Sequence, residues 1–281
     1  MSRTGALRAP LVLVGGGLLA ALALAAVLAP LLAPYDPRAL SGDALLPPSG
    51  RHLLGTNNIG QDIFSQIVWG ARTSLGVALG SASLALMVGG PLGTGAGLVG
   101  GWPEVLVMRV VDVFLAVPRL PLLVLVAALA GASLSTVILV IAIMTWPVTA
   151  RQARAQTRSL RERGYLTAAR GFGGGVPYLL RRHLLPALGP ILISSFIGIA
   201  AAAVLQQAAL AFLGLADPTG ISWGLMLNEA LAQPGLYFSA LWTWWVLPAG
   251  FAITLAVLGF AFLGVGLEPL INPRWQRAVT V

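Results

Sequence analysis

Long apolar runs are the feature that most limits how this chain can fold. They cover 11–32, 73–99, 105–130, 133–150, 187–215 and 241–267. A helix of about 20 residues is enough to cross the hydrocarbon core of a bilayer. Within lipid, backbone donors and acceptors must be satisfied inside the segment, which selects the helix. Only 9% of the 281 residues are charged, against about a quarter in a soluble domain. So few charges cannot cover a globule of this size, so lipid must solvate much of its outside. The expected fold is an all-α integral membrane protein with six transmembrane helices. The first run follows Arg3 and Arg8, a start shared with signal peptides. Its length is that of a retained membrane helix.

Between the runs lie four polar stretches and a tail. Residues 1–10 precede the first span, and loop 33–72 separates it from the second. Pro34, Pro37, Pro47 and Pro48 punctuate that loop, with a short helix expected near Asp62–Gly70. Stretch 151–186 follows the fourth span, loop 216–238 follows the fifth, and tail 269–281 closes the chain.

Charge decides the orientation. Arg151, Arg154, Arg158, Arg161, Arg163, Arg170, Arg181 and Arg182 stand against Glu162 alone, a net +7 over 151–186. The first ten residues carry +2 and the tail from Glu268 carries +1. Loop 33–71 carries −1 and 216–238 carries −2. Six spans gather every positive segment on one side. The positive-inside rule makes that side, with both termini, cytoplasmic.

The composition also excludes chemistry. All 17 basic residues are arginine. A phosphate-binding P-loop needs a lysine, so any ATP that drives this chain is bound by another polypeptide. Without cysteine there is no thiolate metal site or thiol nucleophile. His52 and His183 are the only histidines, and no metal centre or catalytic residue is expected.

Several features have competing readings. Gly95, Gly97 and Gly100 spell G-x-G-x-x-G, yet a dinucleotide site needs a preceding strand. Close helix packing through small residues is preferred. Asp112 lies three residues after Arg109, on one helix face. An intramembrane carboxylate is a functional candidate by default, but an Arg109–Asp112 ion pair near the interface is the simpler reading. Arg119 lies between Pro118 and Pro121; it either lines a polar pathway or pairs with a neighbouring subunit. Trp242, Trp244 and Trp245 suit an interfacial belt. Within 151–186, Leu160–Arg170 reads as a helix. Gly173, Gly174 and Gly175 stop it, and Val176-Pro177-Tyr178 starts a second helix ending at His183-Leu184-Leu185-Pro186. Two short helices at a glycine corner, with small side chains, read as a docking knob.

The spacing in that knob resembles the cytoplasmic loop of ABC-importer permeases, E-A-A, three residues, G, nine residues, I-x-L-P. Here it reads Thr167-Ala168-Ala169, three residues, Gly173, nine residues, His183-Leu184-Leu185-Pro186. Thr167 replaces the usual Glu and His183 the usual Ile. Arg51–Leu75, Ser222–Leu227 and Leu247–Arg274 resemble segments of the dipeptide, oligopeptide and nickel permeases, of the second or "C" type. Gln61 and Val265 depart from that pattern.

The resemblance implies the ABC type I importer permease fold in a multi-pass bacterial inner-membrane protein, with the transmembrane domain at 73–268. It implies a homologous second permease, two ATPase subunits holding ATP and Mg, and an external substrate-binding protein. It implies lipid around the spans, with no nucleic acid and no cofactor on this chain. ATPase coupling would fall to Thr167, Ala168, Ala169, Gly173, Leu185 and Pro186. Ser222, Trp223, Gly224 and Met226 would meet the binding protein. The cargo would be di- or oligopeptides, with nickel chelates or another small solute as alternatives. An ion-driven transporter needs ionisable groups at mid-membrane, where only Asp112 and Arg119 are on offer.

Overall fold

A computed structural model describes residues 3–271 except 132, 216 and 218. Most of the expected tail therefore lies outside the described residues. Among the described residues, five helices are long and apolar enough to cross a membrane, or six if a bent pair counts as one span. The spans are α1 (Arg3–Val27), α2 (Ile63–Val99), α3 (Gly101–Ala116) with α4 (Arg119–Ala130), and α5 (Leu134–Arg161). After α6 (Gly164–Gly171) and α7 (Val176–Leu179) come α8 (Leu185–Phe212), α9 (Trp223–Leu231) and α10 (Val246–Ile271).

Four boundaries differ from the sequence expectation, each for a local reason. The short helix expected near 62–70 is the first part of α2, which runs unbroken for 37 residues. Asp62 starts it, accepting from the Ser65 backbone N–H at 2.8 Å and the Ser65 hydroxyl at 2.7 Å. Such a cap satisfies helix N–H groups that otherwise lack partners. His52 Nδ1 lies 2.9 Å from the other Asp62 oxygen, both side chains being buried. The third span is broken rather than continuous. Val117 is extended before Pro118, and α3 and α4 meet at 88°. Proline disfavours helix in the residue before it and donates no hydrogen bond. The helix of the fourth span does not stop at 150 but carries on to Arg161.

The fourth difference concerns Pro186. The helix begun at Val176 does not end there. Leu180–Leu184 forms a π turn, in which the Leu185 N–H donates to the Leu180 carbonyl. That turn leads straight into α8, with Pro186 in its first turn. Proline is tolerated where its missing N–H costs nothing.

The core is built on α2, α5, α8 and α10. Helices α2 and α5 touch backbone to backbone. A methyl group added at Gly89 would strike the Trp146 carbonyl, and one at Gly93 the Ala150 carbonyl. One at Gly97 would lie 2.8 Å from the Arg154 carbonyl oxygen. The close packing expected here is therefore carried by Gly89, Gly93 and Gly97, spaced one helical turn apart. Gly95 faces open space. Thr149 and Ser195 join α5 to α8 through hydroxyls 2.7 Å apart. Against the expected belt, Trp245 is fully buried in this core and only Trp242 is openly exposed. The reason is the short helix Leu241–Trp244, which turns Trp245 inward at the start of α10.

Candidate functional site

The knob in 151–186 has a small core of its own. Leu160, Leu166, Leu179, Leu184 and Leu188 bury themselves against Leu98 of α2. Helix α6 ends at Gly171, and Gly173 takes a φ of +86°. That left-handed conformation strains any residue with a β-carbon. Gly174 N–H donates to the Ala169 carbonyl at 2.9 Å, and a β-carbon on Gly174 would lie 2.6 Å from that oxygen.

The expected coupling residues lie together on this knob. Thr167, Ala168, Gly173, Leu185 and Pro186 are exposed, and Ala169 is half-buried. Sequence reasoning missed Phe172, which is 92% exposed at the corner. Its signal was a large apolar residue among four glycines in a loop meant for water. His183 sits between Tyr165 and Tyr178, at ring-centroid distances of 5.8 and 5.5 Å. These tilted and edge-on ring contacts link α6 and α7 to the π turn.

Part of the arginine-rich segment faces its own chain. Arg154 Nε donates to Glu104 of α3 at 2.6 Å, and Arg158 lies 3.8 Å from the same carboxylate. Arg161 donates to the Leu98 carbonyl at 3.3 Å. The expected Arg109–Asp112 pair does not form. Asp112 instead accepts from Arg151 at 2.5 Å. The side-chain oxygens face α5 rather than one turn back along α3. Arg109 makes no ion pair among the described residues, and Arg119 is exposed at the start of α4.

At the opposite end, the four residues expected to meet a binding protein are buried within the chain. Trp223 is 1% and Met226 2% exposed. The Trp223 indole N–H donates to the Ile67 carbonyl at 2.9 Å, pinning α9 to α2. Gly224 packs on Ala208 of α8. Ser222 is buried as the cap of α9, accepting from the Leu225 N–H at 3.3 Å. Burial of the apolar face of α9 within the chain keeps these four residues away from solvent. Half-buried on the same helix, Glu229 has its carboxyl pushed above the usual range by burial.

That end also holds a cavity of about 670 Å³. Arg38, Trp69, Arg72, Gln207 and Asp217 are in its wall. The Asp217 carboxyl is held below its usual range, chiefly by the Thr219 hydroxyl and then its backbone N–H. These residues are far apart in sequence, and no spacing announced them.

The comparisons with known proteins agree with this architecture. The family described as "Binding-protein-dependent transport system inner membrane component" matches residues 89–277. The "N-terminal TM domain of oligopeptide transport permease C" matches residues 7–48. The dipeptide transport system permease protein of Alkalihalophilus pseudofirmus is 37% identical over 95% of this chain and 86% of its own length. The di/tripeptide transport system permease protein of Pseudomonas aeruginosa is 36% identical over 94% and 88%. A chain of the MetNI methionine ABC transporter, solved in inward-facing conformations, superposes with a TM-score of 0.54 at 20% identity. That match covers 77% of this chain and 97% of the other, and speaks for the fold alone. The chain belongs to the family of binding-protein-dependent inner-membrane transport components, as a multi-pass permease of the ABC-importer type.

Proposed function

We propose that this chain forms half of the translocation pathway of an ATP-driven importer of di- or oligopeptides. A homologous permease completes the pathway, and an external binding protein delivers the cargo. Two ATPase subunits bind ATP and Mg beneath the pair. The arginine-rich end faces the cytoplasm, where its charge favours retention. The names of the relatives support the peptide cargo.

The observation that carries the reading is the knob itself. It projects exposed small side chains and Phe172 from a buried leucine core, and from Val176 it runs without a break into α8. A protein that seats on it gains a lever on the continuous helical stretch Val176–Phe212, 37 residues long. ATP-driven closure of the ATPases then shifts the bundle between two states by binding one better than the other.

The test is Gly173→Val in the assembled, reconstituted transporter. A β-branched residue is strained at a φ of +86°. Loss of peptide-stimulated ATPase activity and of uptake, with assembly intact, is the expected result. Normal stimulation and uptake would remove the knob from the coupling path.

A further inference from the structure

The cavity at the outer end carries both signs of charge around one space. Its walls come from the segment between Pro30 and Arg38 that follows α1, the start of α2 and α5, the end of α8, and Asp217 with residues 219–222. Its volume of about 670 Å³ falls within the roughly 300–1,000 Å³ usual for small-molecule sites. Arg72 lies with its guanidinium carbon 4.9 Å from the centre of the Trp69 ring. Among the described residues it has no carboxylate partner. Stacking fixes the plane of a guanidinium while leaving its N–H edge available.

The acid side is equally prepared. Asp217 accepts from the Thr219 backbone N–H at 2.8 Å and from its hydroxyl at 2.6 Å. Arg38 donates to the Thr219 carbonyl at 2.8 Å and so braces the same turn. Asp36 adds a second carboxylate to the wall. Gln207, only 3% exposed, is also part of the lining. Its carbonyl accepts from the Ser74 hydroxyl at 3.4 Å, and its amide nitrogen has no partner among the described residues. An amide N–H that makes no bond within the chain is available to donate to a ligand in the cavity.

These charges select a ligand. A simple anion meets Asp36 and Asp217, and a simple cation meets Arg38 and Arg72. A molecule carrying an ammonium and a carboxylate apart from each other satisfies both. We infer that this cavity is a subsite for a short zwitterionic peptide, with Arg72 on its carboxylate, Asp217 on its ammonium and Gln207 on a backbone carbonyl. The inference rests on the peptide-import reading for its role, a holding point at the outer mouth. Its chemistry is independent of that reading.

The test uses the assembled transporter in nanodiscs, without binding protein. Binding of alanyl-alanine, its C-terminal amide and its N-acetyl form is followed by saturation-transfer NMR. The free dipeptide is expected to bind best. Arg72→Gln weakens it about tenfold and erases the preference for free acid over amide. Arg72→Lys keeps part of that preference. Asp217→Asn erases the preference for free amine over N-acetyl. Equal binding of all three probes, or unchanged preferences in the folded variants, would overturn the subsite. Uptake by the wild-type complex with its binding protein separates the two readings. Peptide uptake without the probe pattern removes the subsite and keeps the importer. The probe pattern without peptide uptake does the reverse.

Discussion

Replacing Gly93 with alanine is expected to push α2 and α5 apart. The neighbouring position Gly97 sets the scale. A β-carbon there lies 2.8 Å from the Arg154 carbonyl oxygen and 2.9 Å from the Thr157 β-carbon. An easy carbon–oxygen contact is about 3.4 Å, so the helices must separate by about 0.6 Å. At Gly93 the overlap with the Ala150 backbone is worse, and a backbone atom cannot rotate away. Overpacking of this kind costs about 1–3 kcal/mol. Gly95 is the control, two residues on, with nothing within 4 Å. Alanine there only removes the entropy of glycine, a gain of about 0.5–1 kcal/mol. The two variants should therefore differ by roughly 1.5–4 kcal/mol. Unfolding by SDS titration in mixed micelles measures it. Stabilities within about 0.5 kcal/mol of each other would refute the claim that these helices meet through glycine backbone.

Phe172→Asp changes an exposed side chain, so folding is expected to persist while coupled ATPase activity falls by about tenfold or more. Unaltered coupling would mean that Phe172 contacts no partner. Glu104→Arg should destabilise the chain by repelling Arg154 and Arg158, and adding Arg154→Glu should restore part of the loss. A double-mutant cycle in the same micelle assay, showing no coupling, would dismiss the clamp. Glu229 carries a raised carboxyl pKa from burial. An acid whose folded pKa lies above its unfolded value loses stability as pH rises through that interval. Glu229→Gln is therefore expected to stabilise the chain near about pH 8 and to gain nothing below the usual carboxylate range. Thermal inactivation across pH checks this, and a pH-independent gain would contradict it.

Much of the knob was legible because its signals are local. Thr167, Ala168, Ala169 and Gly173 sit where their spacing put them, and the φ of +86° at Gly173 is what a glycine stop requires. Its continuation through Pro186 was not legible. A proline marks a break in most contexts, and only the π turn at Leu180–Leu184 lets the helix run on. The burial of the Ser222–Met226 segment was not legible for a different reason. An amphipathic helix has an apolar face, but its sequence does not say what that face meets. Here α2 and α8 of the same chain cover it.

Sequence alone determined the bilayer as solvent, six apolar spans and one strongly basic polar segment between the fourth and fifth. Those properties follow from runs of neighbouring residues, whose hydrophobicity and charge act whatever the partners are. Tertiary structure decided which partners meet. It chose Gly89, Gly93 and Gly97 over Gly95 for the α2–α5 contact, and Arg151 over Arg109 for Asp112. It also gathered Arg72, Gln207 and Asp217 around one cavity. Such choices depend on the rotation and register of one helix against another, which hydrophobic period fixes only to a broad face.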